Sequence, residues 1–150
     1  MARYWIVVAS KDHVMHGRSL GIVQAAHGRR SGISRMHAGD GIVYYSPRKE
    51  YEGHEQLKAF TALAFIEDDG IWQAAEPEGF RPFRRRARYL AAKDAPAGPL
   101  INDLAFIRNK KAWGYVMRFG VIEIPEEDFR RIAAAMEVPL PEPVWSTNSG

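Results

Sequence analysis

A chain of 150 residues, 46% hydrophobic and 26% charged, has the size and composition of one globular domain with its own core. It contains no cysteine, which excludes disulfides, thiolate catalysis and any zinc site with a sulfur ligand, and fits a reducing, cytoplasmic location. A formal net charge of +3 says little when averaged over the chain, and the only apolar run near its start is too short for a signal peptide or a membrane span.

Tyr4 to Ala9 is a continuous apolar run of strand length, as expected of a strand covered on both faces. Ser10 or Asp12 is placed to cap the next segment, which reads as two short helical stretches interrupted by Gly17, Gly21 and Gly28, with a further helical turn over 31–36. Ala38-Gly39-Asp40-Gly41 is a turn signal. After it Ile42-Val43-Tyr44-Tyr45 reads as a strand that Pro47 stops. Lys58 to Ile66 alternates as a strand and ends at Glu67-Asp68-Asp69-Gly70, a hairpin turn with Ile71-Trp72-Gln73 opening the returning strand. Phe83 to Leu90 is another strand, whose period of two sets Arg84, Arg86 and Arg88 on one face. Residues 100–104 suit a short helix and 118–124 a last strand. Residues 126–136 form the clearest helix: Phe129, Ile132, Ala133 and Met136 make one apolar stripe, and Glu126, Glu127 and Asp128 sit where the helix dipole favours negative charge. From residue 137 the Pro-rich, polar sequence reads as a mobile tail, leaving 1–136 as one domain. Short strands with helices between them imply an α+β fold with a curved mixed sheet or small barrel.

The inventory assembles no catalytic set. His13 and His16 have no convergent ligands, and there is no GxSxG element and no phosphate loop. The expectation is therefore a non-enzymatic domain without metal or cofactor. Binding chemistry is better represented. Arginines and lysines cluster at 29–35, 81–88 and 108–111, while carboxylates gather at 67–69 and 123–128. The basic segments Phe80-Arg81-Pro82-Phe83-Arg84 and Lys110-Lys111-Ala112-Trp113-Gly114-Tyr115 also carry aromatics. Guanidinium groups answer phosphates and flat rings answer unstacked bases.

Taken in order, Tyr4-Trp5, Ala9-Ser10-Lys11-Asp12-His13-Val14, the run from Gly21 to Gly28, Tyr45-Ser46-Pro47, Phe80 to Arg85, Trp113-Gly114, Arg118-Phe119-Gly120 and Asp128-Phe129 resemble the EVE domain, a family of the PUA-like group, from about residue 4 to residue 136. The resemblance implies a curved, barrel-like sheet flanked by helices, similar to the YTH domain that reads methylated adenine in RNA. It also implies a partner: DNA or RNA carrying a modified base. Carried over by position, Ser10 and Lys11 lie at the mouth of a base pocket lined by Val23, Gln24 and Ala25. Tyr45, Ser46, Pro47, Trp113 and Gly114 are its candidate walls, and Arg118 is a phosphate contact beside Arg84 and Arg86. The sequence departs from the YTH pattern at Val23, where that pattern has a cage tryptophan. Trp72, Trp113 or Phe106 is left to supply the ring, while Trp5 is expected in the core. Gln24 either reads a base edge or ties a loop. Arg85 and Arg86 either face phosphates or pair with Glu67 or Asp68. A peptide-binding module using the same groove, or an enzyme acting on a modified nucleotide, are the alternatives.

Overall fold

The computed structural model describes residues 2–141. β1 (Tyr4–Val8) runs parallel to β3 (Gly41–Arg48) and antiparallel to β8 (Val121–Ile124). Its uninterrupted apolar sequence has a physical reason: the sheet separates two cores. Alternation sends Trp5 and Val7 into one and Ile6 into the other, and all three are fully buried. β4 (Gln56–Ile66) pairs with β3 and with β6 (Phe83–Leu90), and β6 carries β2 (Ile22–Val23) on its far edge. The sheet order is β2-β6-β4-β3-β1-β8, with β5 (Trp72–Gln73) added to β6 and β7 (Ala95–Pro96) to β4. The result is the expected α+β architecture, a curled mixed sheet forming a half-barrel with a few helices.

α1 (Lys11–Leu20) buries Val14 in the core that holds Trp5. α2 (Glu126–Ala135) lays Phe129, Ile132 and Ala133, with Met136 just beyond it, into the opposite core, matching the predicted stripe. Packing continues past residue 136. Val138 donates its N–H to the Ala133 carbonyl and is buried, and the Pro141 carbonyl accepts from Arg130. Residues 142–150 of the expected tail lie outside the described residues.

Several local expectations are corrected. Gly17 does not interrupt α1: it lies where a Cβ would come within 3.3 Å of the Ile22 carbonyl, so the glycine allows helix and strand to approach. Pro47 does not end β3, because the pairing shifts between Ser46 and Arg48 and Pro47 has no partner there to lose. The turn at Glu67–Gly70 does not return to β4. The place beside β4 is taken by β6, and β5 pairs with β6 instead. The last strand begins only at Val121. Residues Lys110–Phe119 wind as 3-10 turns, closed by Gly120 at φ 78°.

Candidate functional site

β5 and β6 are the arms of a hairpin. Trp72 faces Arg84 and Gln73 faces Phe83, and beyond them Ala74 donates to the Pro82 carbonyl and Glu76 to the Phe80 carbonyl, each at 2.8 Å. The period of two therefore sets Trp72, Glu76, Phe80 and Arg84 on one hairpin face. Arg84 is buried and pairs across that face with Glu76. The register of β2 on β6 opposes Val23 to Arg85, which brings the next residue, Gln24, beside Arg84. The Arg84 Nε donates to Gln24 Oε1 at 2.8 Å, and His16 Nε2 of α1 stands 3.8 Å from Glu76.

This arrangement fixes the polarity of the side chains. A guanidinium only donates, so the oxygen of Gln24 must face Arg84, and its amide nitrogen is left without an acceptor among the described residues. Glu76 supplies the acceptor. Trp72 lies opposite Arg84 and Phe80 opposite Glu76 across the hairpin, and the two rings keep 39% and 41% of their surface exposed. The hairpin is held down where Phe80 and Pro82 meet the turn at Gly28. There φ is 81°, and a Cβ would come within 2.8 Å of Pro82.

A second grouping lies where the parallel strands β1 and β3 end. Ala9 donates to the Tyr45 carbonyl at 3.1 Å and the Asp12 N–H to the Lys49 carbonyl at 2.9 Å, seating the start of α1 on β3. Ser10 is buried, and its hydroxyl donates to Asp12 rather than capping the helix. Burial pushes the Asp12 carboxyl up, but the hydroxyl of Ser10 and the N–H groups of Tyr51 and His13 outweigh it and hold it below its ordinary value. Lys11 pairs with Asp94 at 2.5 Å, and buried Ser46 shares a hydrogen bond with Thr61. Trp113 meets Tyr45 edge-on, centroids 5.8 Å apart, and burial pushes the Tyr45 phenol up to about 12.

The expected pocket residues thus fall into two sets. Tyr45, Phe106 and Trp113 belong to the core under α2, and the 3-10 run leaves Gly114 exposed. Val23 and Ala25 belong to the core under α1, with Gln24, Trp72 and Arg84 beside them. Trp5 is fully buried, as expected. Of the expected arginine row, Arg86 and Arg88 are exposed, with Arg86 lying 3.6 Å from Asp68. Arg84 is not, because its guanidinium is taken up between Glu76 and Gln24. Arg118 is exposed over the ring of Tyr115. Cavities of about 280 and 120 Å³ open elsewhere, neither lined by Ser10 or Gln24. Sequence reasoning missed Glu76, named Phe80 only within a basic aromatic segment, and weighed His16 only as a metal ligand. That Glu76 and Phe80 share a hairpin face was recoverable from the alternation either side of Pro77-Glu78-Gly79, whereas the place of His16 depends on where α1 packs.

A curled mixed sheet with one helix over each core forms an α+β half-barrel. The same fold recurs in the YTH domain of the Zygosaccharomyces rouxii MRB1 protein, solved in complex with N6-methyladenosine RNA (TM-score 0.58, 13% identity, 94% of this chain and 90% of that one). It recurs too in protein Atu2648 of Agrobacterium tumefaciens (TM-score 0.55, 15% identity, 93% and 97%). A UPF0310 protein of Mesorhizobium japonicum is 43% identical over 141 residues, covering 93% of this chain and 95% of its own. The EVE domain family matches residues 3–135, and the chain belongs to that family.

Proposed function

We propose that this protein is a nucleic-acid reader that holds an unstacked, modified base of DNA or RNA against the β5–β6 hairpin. The observation that carries the reading is the hairpin face on which exposed Trp72 and Phe80 lie opposite Arg84 and Glu76, with Arg84 orienting both Glu76 and the neighbouring Gln24. A base stacked on one of these rings gains ~1–3 kcal/mol. The free amide nitrogen of Gln24 donates to a ring nitrogen or carbonyl, and Glu76 accepts from an exocyclic amine. Val23 is fully buried and has no ring, so Trp72 takes the part that a cage tryptophan plays in the YTH pattern. Exposed Arg86 and Arg118 meet phosphates of the bound strand. In this reading Arg84 orients the base-reading groups rather than touching phosphate. A single added methyl contributes ~0.8 kcal/mol, about fourfold, unless the unmodified base also leaves a polar group unpaired.

The test is a titration of single-stranded oligonucleotides carrying modified or unmodified cytosine or adenine, with binding followed by fluorescence anisotropy. At least one modification should bind severalfold tighter than its parent base, and Trp72→Ala should abolish that preference. No preference across the panel, or a Trp72→Ala variant that keeps it, would refute the reading. Turnover of a modified nucleoside would make the protein an enzyme, and salt-independent capture of a peptide would make it an interaction module.

A further inference from the structure

The cavity of about 280 Å³ lies outside the base-reading hairpin, and its lining is Pro47, Arg48, Gly53, His54, Gln56 and Lys58. No carboxylate lines it. Among the described residues, neither Arg48 nor Lys58 has a carboxylate within 4.0 Å, and the nearby Glu55 is engaged by Lys49 at 2.5 Å.

Its shape comes from an irregular hairpin. Ser46 pairs with Ala59 and Arg48 with Gln56, so Leu57 and Lys58 together oppose the single residue Pro47. That is a β-bulge, a device that bends a strand and re-aims a side chain. Lys58 takes φ 51°, a left-handed conformation that favours glycine. Its carbonyl is fixed by the Ala97 N–H at 2.9 Å. At this bulged, left-handed position Lys58 lines the cleft together with Arg48. The loop beyond is also secured. The Asp12 carboxylate accepts the Tyr51 N–H, the His13 ring stacks on Tyr51 at 4.8 Å, and the Arg48 guanidinium lies 5.8 Å over that ring. Because the Asp12 N–H also donates to the Lys49 carbonyl, the cleft is anchored to the same end of α1 that carries Ser10 and Lys11.

We infer that this bulged cleft is a phosphodiester-binding site, in which Arg48 and Lys58 hold the backbone of the strand whose base is read at the hairpin. The inference rests on the nucleic-acid reading but concerns separate residues. The donor chemistry would equally take free phosphate, and the experiment separates the two sources. A mixed-sequence single-stranded oligonucleotide, as DNA and as RNA, is titrated by anisotropy from about 50 to 200 mM salt. The parent is compared with a Lys58→Asn, Arg48→Ala double variant. Asparagine tolerates the left-handed backbone, so charge is removed without adding strain, and an unchanged thermal midpoint checks the fold.

Losing two single-strand phosphate contacts should flatten the slope of log affinity against log salt by about 1.4 and weaken binding about 25-fold at about 0.1 M salt. A double variant with the parent's slope and affinity overturns the inference and leaves the base reading intact. A parent that shows no preference for any modification, yet loses affinity in the double variant, overturns the base reading and leaves the cleft. A parent that binds no oligonucleotide while inorganic phosphate shifts the Arg48 and Lys58 resonances identifies a free-phosphate site and refutes the phosphodiester assignment.

Discussion

Replacing Asp128 by alanine should destabilise the protein by ~2–4 kcal/mol. The carboxylate is fully buried in the first turn of α2. It accepts the backbone N–H groups of Ala105 and Phe106, both at 2.9 Å, and the Arg131 guanidinium at 3.3 Å. Orphaning a buried donor costs ~1–3 kcal/mol, so two would cost ~2–6. Ala105 is exposed and Phe106 half-buried, so water rescues part of this, and the lower half of the range applies. The favourable placement of negative charge at a helix start, ~0.3–1 kcal/mol, is lost as well. Asp128→Asn keeps one accepting oxygen and should lose less. Urea unfolding read by linear extrapolation measures both variants, and the thermal midpoint should fall by ~2–4 °C per kcal/mol in a domain of this length. An alanine variant within ~0.5 kcal/mol of the parent would mean that the loop amides are satisfied by water, and the buried carboxylate would then not be what holds the segment leading to Trp113.

Gly28→Ala combines a left-handed φ with a Cβ driven into Pro82, and should free the tip of the β5–β6 hairpin. Faster hydrogen exchange at the Ala74 and Glu76 amides would report it, and unchanged exchange would count against the close approach. Arg84→Met leaves Glu76 without its partner and Gln24 free to rotate, so under the proposed reading, in which Arg84 only orients these two groups, modified-base affinity should fall severalfold. An affinity change seen only in the salt slope would instead make Arg84 a phosphate contact. For Asp12, whose carboxyl is held below its ordinary 3.8, the stabilisation is present above that value and is lost as pH falls through the lower folded value. Asp12→Asn should therefore be less stable than the parent at neutral pH, with the two converging in acid once the pH lies below the lowered folded value. A gap that persists in acid would show that the side chain acts through packing rather than charge.

Much of the architecture was legible because it follows from local pattern. The apolar run at Tyr4 has no polar face to give to water, so it had to be covered on both sides. The stripe through Phe129, Ile132 and Ala133 could only be an amphipathic helix. Resemblance of ordered short motifs gave the family. Strand partnership was not legible in the same way: nothing within Ile71-Trp72-Gln73 says whether it pairs backward with β4 or forward with β6, because pairing is a competition settled by which strand already occupies the edge. That choice decided the site. It buried Arg84 among Glu76 and Gln24 instead of leaving it in a row with Arg86 and Arg88, and it set Trp72 on the hairpin while Trp113 packs against the core under α2. Composition and periodicity thus determined that this chain folds as a curled α+β domain with rings and guanidinium groups to spare. Only the tertiary structure decided which of them meet, since the contact between residues 24 and 84 depends on register across the sheet, which no local stretch of sequence encodes.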